Sequence, residues 1–399
     1  MASMTTRCDP DIQQRTLQQA RRIVVKIGSA LLVDAPSETI RGDWLASVAQ
    51  DIKALRAHGA EVIVVSSGAI AVGRHHLGLT GTRLRLAEKQ AAAATGQIRL
   101  AHAWQEAMAE HGITVAQILL TLGDSEDRRR YLNARNTLDT LLRLGALPVV
   151  NENDTVATQE IRFGDNDRLA ARVAEMVAAD TLVLLSDIDG LYTADPSTDP
   201  SARLIPEVRE LTPDITAAAG ESRTSVGTGG MVTKLMAARI AMNAGCAMVI
   251  ASGHTLHPLA AINQPGQRTW FLPSGTVPPA RKKWISGSIS PMGCLVVDAG
   301  AAQALQNGGS LLPAGVTHVD GEFSRGDTVR IMGPDGSVLG HGLSNYTTTE
   351  AQQIMGRHSA DIANILGCQG RKELIHRDDM VIDPIQGAQG ERDKQSFPG

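Results

Sequence analysis

Residues 22–29 read RIVVKIGS, a run of apolar residues that contains one lysine and ends in glycine and serine. A continuous apolar run of this length is typical of a strand buried on both faces of a parallel sheet. Similar runs follow at residues 61–65, 115–120, 146–150, 181–186 and 247–251. Patterns with helical spacing occur at residues 44–58, 133–144, 167–179 and 233–244. This alternation predicts an α/β fold of three layers, an open and mostly parallel sheet covered by helices on both faces.

The pattern changes near residue 275. Residues 276–292 contain Pro, Gly, Ser and a basic cluster, and are typical of a linker. Short strand patterns follow at residues 294–297, 316–319, 328–332 and 339–343, with glycine-containing turns between them. They predict a small β-rich domain of about 80 residues. The expected division is an N-terminal extension (1–19), an α/β domain (20–275), a linker (276–292), a β-rich domain (293–371) and a C-terminal tail (372–399).

The composition excludes several functional classes. The 399 residues carry a net charge of −4 and only 3% aromatic side chains, so tight nonspecific nucleic-acid binding is not expected. The four cysteines lie far apart in the sequence, so they predict neither a zinc cluster nor a disulfide framework. This use of cysteine is typical of proteins in a reducing compartment. There is no apolar run of about 18 residues and no apolar core of a signal peptide, so we expect a cytoplasmic chain without a membrane span.

Four polar or glycine-rich segments directly follow predicted strands: Gly28-Ser29, Ser66-Ser67-Gly68, residues 151–154 (NEND) and Ser186-Asp187. Ligands of open α/β sheets bind beyond the carboxyl ends of the strands. We therefore expect the four segments to share one face of the domain. For Ser186-Asp187, a polar turn and a floor for a nucleotide both remain open.

Two lysines stand beside glycines. Lys26 lies in the last turn of a buried strand, where a lysine is rare without an anionic partner, and Gly28 allows the backbone to approach a ligand. A solvent-facing lysine with an ordinary turn is the competing interpretation. Residues 227–234 (GTGGMVTK) open a helix and favour an anion cradle over a plain surface loop, although their spacing is not that of a Walker A motif.

Carboxylates and amides are concentrated in two neighbouring turns. The NEND segment ends in Asp154, and residues 164–167 (GDND) begin a helix ten residues later. Helix capping explains one such residue, but not seven polar residues in two turns. The functional interpretation is that these two segments bind an amine and hold lysine side chains or magnesium in place. No compact metal-ligand motif and no G-x-S-x-G nucleophile elbow occur in the sequence.

The motifs also occur in a diagnostic order: VVKIGSALL, VVSSGAIAVGRHHLG, LNARNTL, PVVNENDTVAT, GDNDRLAA, LLSDIDGLYTADP and GTGGMVTKL. Together they closely resemble the glutamate 5-kinases, members of the amino acid kinase family. The C-terminal segments GSLLPAGVTHVDGEFSRGDTVRI and HGLSNY resemble the PUA domain of the bacterial enzymes. The resemblance covers residues 20 to 370 and implies the amino acid kinase fold followed by a PUA-like domain.

The resemblance implies transfer of a phosphoryl group from ATP to the side-chain carboxylate of L-glutamate, for proline biosynthesis. It also implies Mg²⁺ held mainly by the ATP phosphates, feedback inhibition by proline, and a homo-oligomer (a dimer or a tetramer). The implied ATP contacts are Lys26, Gly28, Ser29, Ser186, Asp187, Thr228, Gly229, Gly230, Met231, Val232, Thr233 and Lys234. The implied glutamate contacts are Ser67, Gly68, Asn151, Asp154, Asp165 and Asn166.

The chemistry suits these residue types. A carboxylate is ionised at neutral pH and needs no general base, so the difficulty is that one anion must attack another. We therefore expect Lys26 and Lys234 to be catalytic through charge stabilisation, and Asp167 to hold both ammonium groups. Two alternatives remain: a kinase for another amino acid or acyl substrate, and an RNA-binding protein that uses the PUA-like domain, which the acidic balance disfavours.

Overall fold

The computed structural model describes residues 16–34, 39–79, 84–156, 165–218, 230–273, 291–367 and 371–382. The chain divides at residue 277 into two compact units. Among the described residues, no helix combines the length and the apolar character that crossing a membrane requires.

The first unit contains an eight-stranded sheet in the order β3-β4-β2-β1-β5-β9-β10-β8. Its strands are β1 (Arg22–Ile27), β2 (Glu61–Ser66), β3 (Val115–Leu120), β4 (Leu147–Glu152), β5 (Thr181–Ser186), β8 (Glu207–Val208), β9 (Ala247–Ser252) and β10 (Arg268–Phe271). Strands β6 (Leu191–Tyr192) and β7 (Leu204–Ile205) form a separate two-stranded sheet. Strands β3, β4, β2, β1, β5 and β9 run parallel, whereas β10 is antiparallel to β9. The predicted mostly parallel sheet is confirmed.

The helices of this unit are α1 (Ser29–Leu32), α2 (Gly42–Ala57), α3 (Ala69–His76), α4 (Leu86–Ala109), α5 (Leu122–Glu126), α6 (Arg128–Arg143), α7 (Asp165–Met176), α8 (Pro213–Ala218), α9 (Met231–Asn243) and α10 (Pro258–Ala261). Two apolar cores cover the two faces of the sheet. One includes side chains of α2 and α4, and the other includes side chains of α6, α7 and α9. Alternate residues of β1 enter opposite cores, because successive side chains of a strand point to opposite faces. The three-layer prediction is therefore confirmed.

Several boundaries differ from the sequence prediction. Helix α6 begins at Arg128 rather than at residue 133, since the polar face of this segment hides its helical spacing. Ordered packing also starts before residue 20: Leu17 is fully buried, and its backbone N–H donates to Oδ1 of Asn263.

The second unit contains a five-stranded sheet in the order β12-β11-β13-β14-β15. Its strands are β11 (Gly293–Val297), β12 (Val316–Gly321), β13 (Thr328–Met332), β14 (Val338–Leu343) and β15 (Met380–Ile382). The first four match the predicted strands. Strand β15 pairs with β14 and lies beyond residue 371, where the sequence division placed a tail. Short helices at Ala299–Gln306, Thr348–Ile354 and Ile362–Leu366 complete this unit, and the sequence patterns did not reveal them.

Candidate active site

The carboxyl ends of β1, β2, β4 and β5 meet at one edge of the first sheet. Ile27 is in register with Ser66 of β2 and with Leu185 of β5, and Val65 of β2 is in register with Val150 of β4. The four segments that follow these strands therefore begin at the same edge. This confirms the expectation that they share one face of the domain.

Asp167 joins the two lysines at this edge. Its Oδ1 lies 2.6 Å from Nζ of Lys26, and its Oδ2 lies 3.3 Å from Nζ of Lys234. The hydroxyl of Thr233 is 3.0 Å from the same Oδ2 and can donate to it. Lys26 comes from the end of β1, Asp167 from the first turn of α7, and Lys234 from the first turn of α9. The fold thus brings three distant segments together around one carboxylate.

All three charged groups of this cluster are nearly inaccessible to water. The exposed fraction is 8% for Lys26, 1% for Asp167 and 3% for Lys234. Burial acts to raise the pKa of Asp167, but the charges of the two lysines and hydrogen bonds from Lys26 and Thr233 hold that pKa below its usual range. Asp167 is therefore a carboxylate at neutral pH, and the cluster carries one net positive charge. Such a charge suits an anionic ligand.

A second cluster is built from amides and serine. The Nδ2 of Asn166 lies 2.7 Å from Oγ of Ser67, 3.2 Å from Oδ1 of Asn151 and 3.3 Å from the carbonyl oxygen of Ser66. The other amide atom of Asn166, Oδ1, is buried and has no hydrogen-bond partner among the described residues. A buried acceptor of this kind is costly unless a ligand donates to it. Since Asn166 directly precedes Asp167, the two clusters are adjacent.

Gly68 forms the start of helix α3 beside this amide cluster. Its φ of +104° lies in the left-handed region, and a Cβ there would approach Cγ2 of Val33 to 3.0 Å. Only glycine adopts this conformation without strain. The turn at Ser67-Gly68 therefore leads directly into the N-terminus of α3, where backbone N–H groups can hold an anion.

The other sequence-predicted residues with described side chains include five at the ends of strands β1, β4 and β5. Gly28 and Ser29 begin α1 at the end of β1, and a Cβ on Gly28 would lie 3.8 Å from Nζ of Lys26. The hydroxyl of Ser186 donates to Oδ1 of Asp187 over 2.8 Å, at the end of β5. Asp154 is half-buried in the turn after β4.

Residues 230–232 mark the start of α9, with Gly230 before the helix and Met231 and Val232 in its first turn. Thr228, Gly229 and the side chain of Asp165 lie outside the described residues.

Comparison with known proteins agrees with this architecture. A family model for the amino acid kinase family matches residues 21–252, and a PUA domain model matches residues 293–366. A glutamate 5-kinase from Paramagnetospirillum magneticum is 64% identical over 92% of this chain and 99% of its own length. A glutamate 5-kinase from Rhodospirillum rubrum is 63% identical over 90% of this chain and 96% of its own length. The chain belongs to the glutamate 5-kinase family.

Solved structures resemble this glutamate 5-kinase family member more distantly. Carbamate kinase from Giardia lamblia, bound to AMP-PNP, is 16% identical, with a TM-score of 0.47 over 64% of this chain and 100% of that chain. The family membership rests on sequence. It makes the chain a kinase with an amino acid kinase domain and a PUA domain, as the motifs indicated.

One contact of this glutamate 5-kinase family site was not anticipated. Gln97 of α4 accepts a hydrogen bond from Nδ2 of Asn151 through its Oε1, over 2.6 Å. Gln97 follows a run of alanines in the sequence and belongs to none of the motifs quoted above. No local signal marks it, because only the packing of α4 against the sheet edge brings it to Asn151.

Proposed function

We propose that the chain transfers the γ-phosphoryl group of ATP to the side-chain carboxylate of L-glutamate, and that the γ-glutamyl phosphate formed serves proline biosynthesis. The observation that carries the proposal is the pair of buried lysines on one carboxylate, Asp167, at the ligand-binding edge of the sheet. The names of the 56–64% identical relatives supply the substrate.

The lysine cluster addresses the electrostatic problem of this reaction. Both the attacking carboxylate and the γ-phosphate are negative, so the transition state needs positive charge more than it needs a base. Lys26 and Lys234 supply that charge from two different elements, and Asp167 fixes their ammonium groups before substrate binds. Groups already in place do not have to reorganise during the reaction, which is the main advantage of a preorganised site.

ATP would bind along the ends of β1, β5 and α9. In this proposal, Gly28 and Ser29 face the phosphates beside Lys26, and Ser186-Asp187 contact the nucleoside. Residues 228–234, which include Thr228, Gly229 and Gly230, contribute backbone N–H groups to the phosphates. The support is the position of the described residues: Gly28 lies beside Lys26, and the first turn of α9 carries Lys234 at a helix N-terminus, which favours anions.

Glutamate would bind at the amide cluster. Ser67, Gly68 and the first turn of α3 suit the α-carboxylate, since they combine a hydroxyl with free N–H groups of a helix start. Asp154 and the buried Oδ1 of Asn166 suit the α-ammonium group, and Asn151 contacts the Asn166 amide. The adjacency of Asn166 and Asp167 would then place the side-chain carboxylate of glutamate near the lysines.

Magnesium fits this site through the nucleotide. Both oxygens of Asp167 are already engaged, Oδ1 by Lys26 and Oδ2 by Lys234 and Thr233, so this carboxylate has little capacity for a cation. Mg²⁺ keeps several waters and commonly binds through substrate phosphates with few protein ligands. We propose that Mg²⁺ is carried mainly by the ATP phosphates, where it neutralises part of their charge.

The substrate is tested by measuring ADP release with L-glutamate, L-aspartate and N-acetyl-L-glutamate as acceptors at fixed ATP and Mg²⁺. We expect turnover with glutamate to exceed turnover with the other two. Equal or greater turnover with aspartate or N-acetylglutamate would show that the chain is a kinase for a different acyl acceptor.

Three further expectations extend this proposal: inhibition by proline, a dimeric or tetrameric assembly, and a cytoplasmic location. Adding proline to the ADP assay tests the first. Light scattering of the purified chain tests the second.

For the PUA domain, we propose a structural or regulatory role rather than RNA binding. A salt-dependent RNA titration of the full chain tests this role.

A further inference from the structure

Gln97 of helix α4 completes a chain of hydrogen-bonded side chains at the proposed glutamate site. Its Oε1 accepts from Nδ2 of Asn151 over 2.6 Å, and Oδ1 of Asn151 accepts from Nδ2 of Asn166 over 3.2 Å. The Nδ2 of Asn166 also donates to Ser67. The hydrogen-bonded series therefore runs from Gln97 through Asn151 and Asn166 to Ser67.

This series of hydrogen bonds has a direction, because each amide has one donating end and one accepting end. With its donor turned to Gln97, Asn151 presents its acceptor to Asn166 and to the backbone N–H of Glu152, 2.9 Å away. Asn166 must then present its donor to Asn151. Its acceptor, Oδ1, is left buried and without a partner among the described residues.

We propose that Gln97 is a positioning residue that, together with the backbone N–H of Glu152 and the carbonyl oxygen of Ser66, holds the Asn166 amide in place, so that Oδ1 of Asn166 receives the ammonium group of the substrate. This inference rests on the proposed function, since it takes the substrate to be an amino acid. Gln97 acts through Asn151 and does not itself touch the substrate. Without an acceptor at position 97, the Nδ2 of Asn151 loses its contact with Gln97, and the Asn151 side chain is held less firmly against Asn166.

The backbone around Gln97 is held closely enough for this role. Helices α3 and α4 cross at Gly73 and Gly96, where an added Cβ would lie 1.7 Å from the carbonyl oxygen of Ala92 and 1.8 Å from that of Ala69, respectively. Further along α4, the indole N–H of Trp104 donates to Oγ of Ser66 over 3.2 Å. Gln97 follows Gly96 directly, so its helix is fixed against the start of α3 and the end of β2.

The test compares glutamate with glutarate, which has the same two carboxylates but no ammonium group. The KM for glutamate and the inhibition constant of glutarate against glutamate are measured in the ADP-release assay. The variants are Gln97→Met, which removes the acceptor at similar length, and Gln97→Glu, which keeps an acceptor oxygen. Gln105→Met serves as the matched control, since Gln105 is an exposed glutamine of the same helix.

For Gln97→Met we expect the KM for glutamate to rise about tenfold, the scale of one hydrogen bond to a charged group. The inhibition constant of glutarate and the KM for ATP should stay within about twofold of wild type, as expected when only the ammonium contact is lost. Gln97→Glu should keep the glutamate-to-glutarate ratio near that of wild type, and Gln105→Met should change neither constant.

An equal rise for glutamate and glutarate in Gln97→Met would show a general structural role, and an unchanged pair of constants would show no role. Either result overturns the inference. Thermal unfolding checks that the variant is folded, and Gln97→Ala is measured in the same way if it is not. A wild-type chain that releases no ADP with glutamate contradicts the proposed function itself, which separates the two failures.

Discussion

Replacing Asp167 by Asn removes a negative charge that two buried ammonium groups share. Asp167 is 1% exposed, and its carboxylate oxygens lie 2.6 Å and 3.3 Å from Nζ of Lys26 and Lys234. Asparagine has nearly the same shape, so the variant changes charge with little change in packing. In Asp167→Asn the lysines become two like charges in a site with little access to water.

Removal of one partner from a buried ion pair commonly costs about 3–5 kcal/mol of the free energy of unfolding, because the remaining charge is left uncompensated. For a domain of this size, each kcal/mol lowers the melting temperature by roughly 2–4 °C. We therefore expect Asp167→Asn to melt about 10 °C below wild type without nucleotide. Its kcat should fall by about 10²–10³, the range for loss of one preorganised electrostatic group.

Differential scanning fluorimetry with and without ATP and Mg²⁺ measures the stability, and ADP release measures kcat. ATP should raise the melting temperature of Asp167→Asn more than that of wild type, since phosphate replaces the missing negative charge. Glu106→Gln is the control, because Glu106 pairs with His102 on the surface, where both side chains are more than half exposed. A melting temperature and a kcat of Asp167→Asn both near wild type would refute the shared-carboxylate mechanism.

The negative charge of Asp167 predicts that the stability of the fold depends on pH. The pKa of Asp167 is lower in the folded protein than its usual value near 3.9, so its contribution to stability is complete above about pH 4. That contribution is lost as the pH falls from there through the lower folded-state pKa. Wild type and Asp167→Asn should therefore converge in stability below about pH 4, and parallel unfolding curves at all pH values would contradict this.

Three further predictions concern individual positions. Lys234→Ala should lower kcat, each tenfold loss being about 1.4 kcal/mol of barrier, and near-wild-type turnover would remove the two-lysine mechanism. Asp154→Ala should raise the KM for glutamate in the ADP-release assay, and a change confined to the KM for ATP would contradict the proposed substrate role. Gly96→Ala should destabilise the fold by at least about 1–3 kcal/mol in urea unfolding, because its Cβ would meet backbone at 1.8 Å. Gly42→Ala is the control for this variant, since nothing lies within 4 Å of the added Cβ.

Much of the sheet could be predicted because its signals are local. Strands buried on both faces are continuous apolar runs, and the runs at β1, β2, β4 and β5 end in glycine, serine or amide residues. Where the signal was weak, prediction failed. The polar face of α6 concealed its first turn, and the two-residue strands β6, β7 and β8 are too short to show a period.

By itself, the sequence determined the α/β class, the strand ends that form the ligand-binding edge, and the family. It also identified Lys26, Asp167 and Lys234 as candidates, because charged residues beside glycines at buried strand or helix ends are chemically conspicuous. The expectation that Asp167 holds both lysines came from the sequence and its family resemblance, but only the tertiary structure shows the two contacts, since these depend on the order of strands and on the packing of α7 against α9. Only the tertiary structure decided the place of Gln97, which an unremarkable helical segment carries to the site through the close crossing at Gly73 and Gly96.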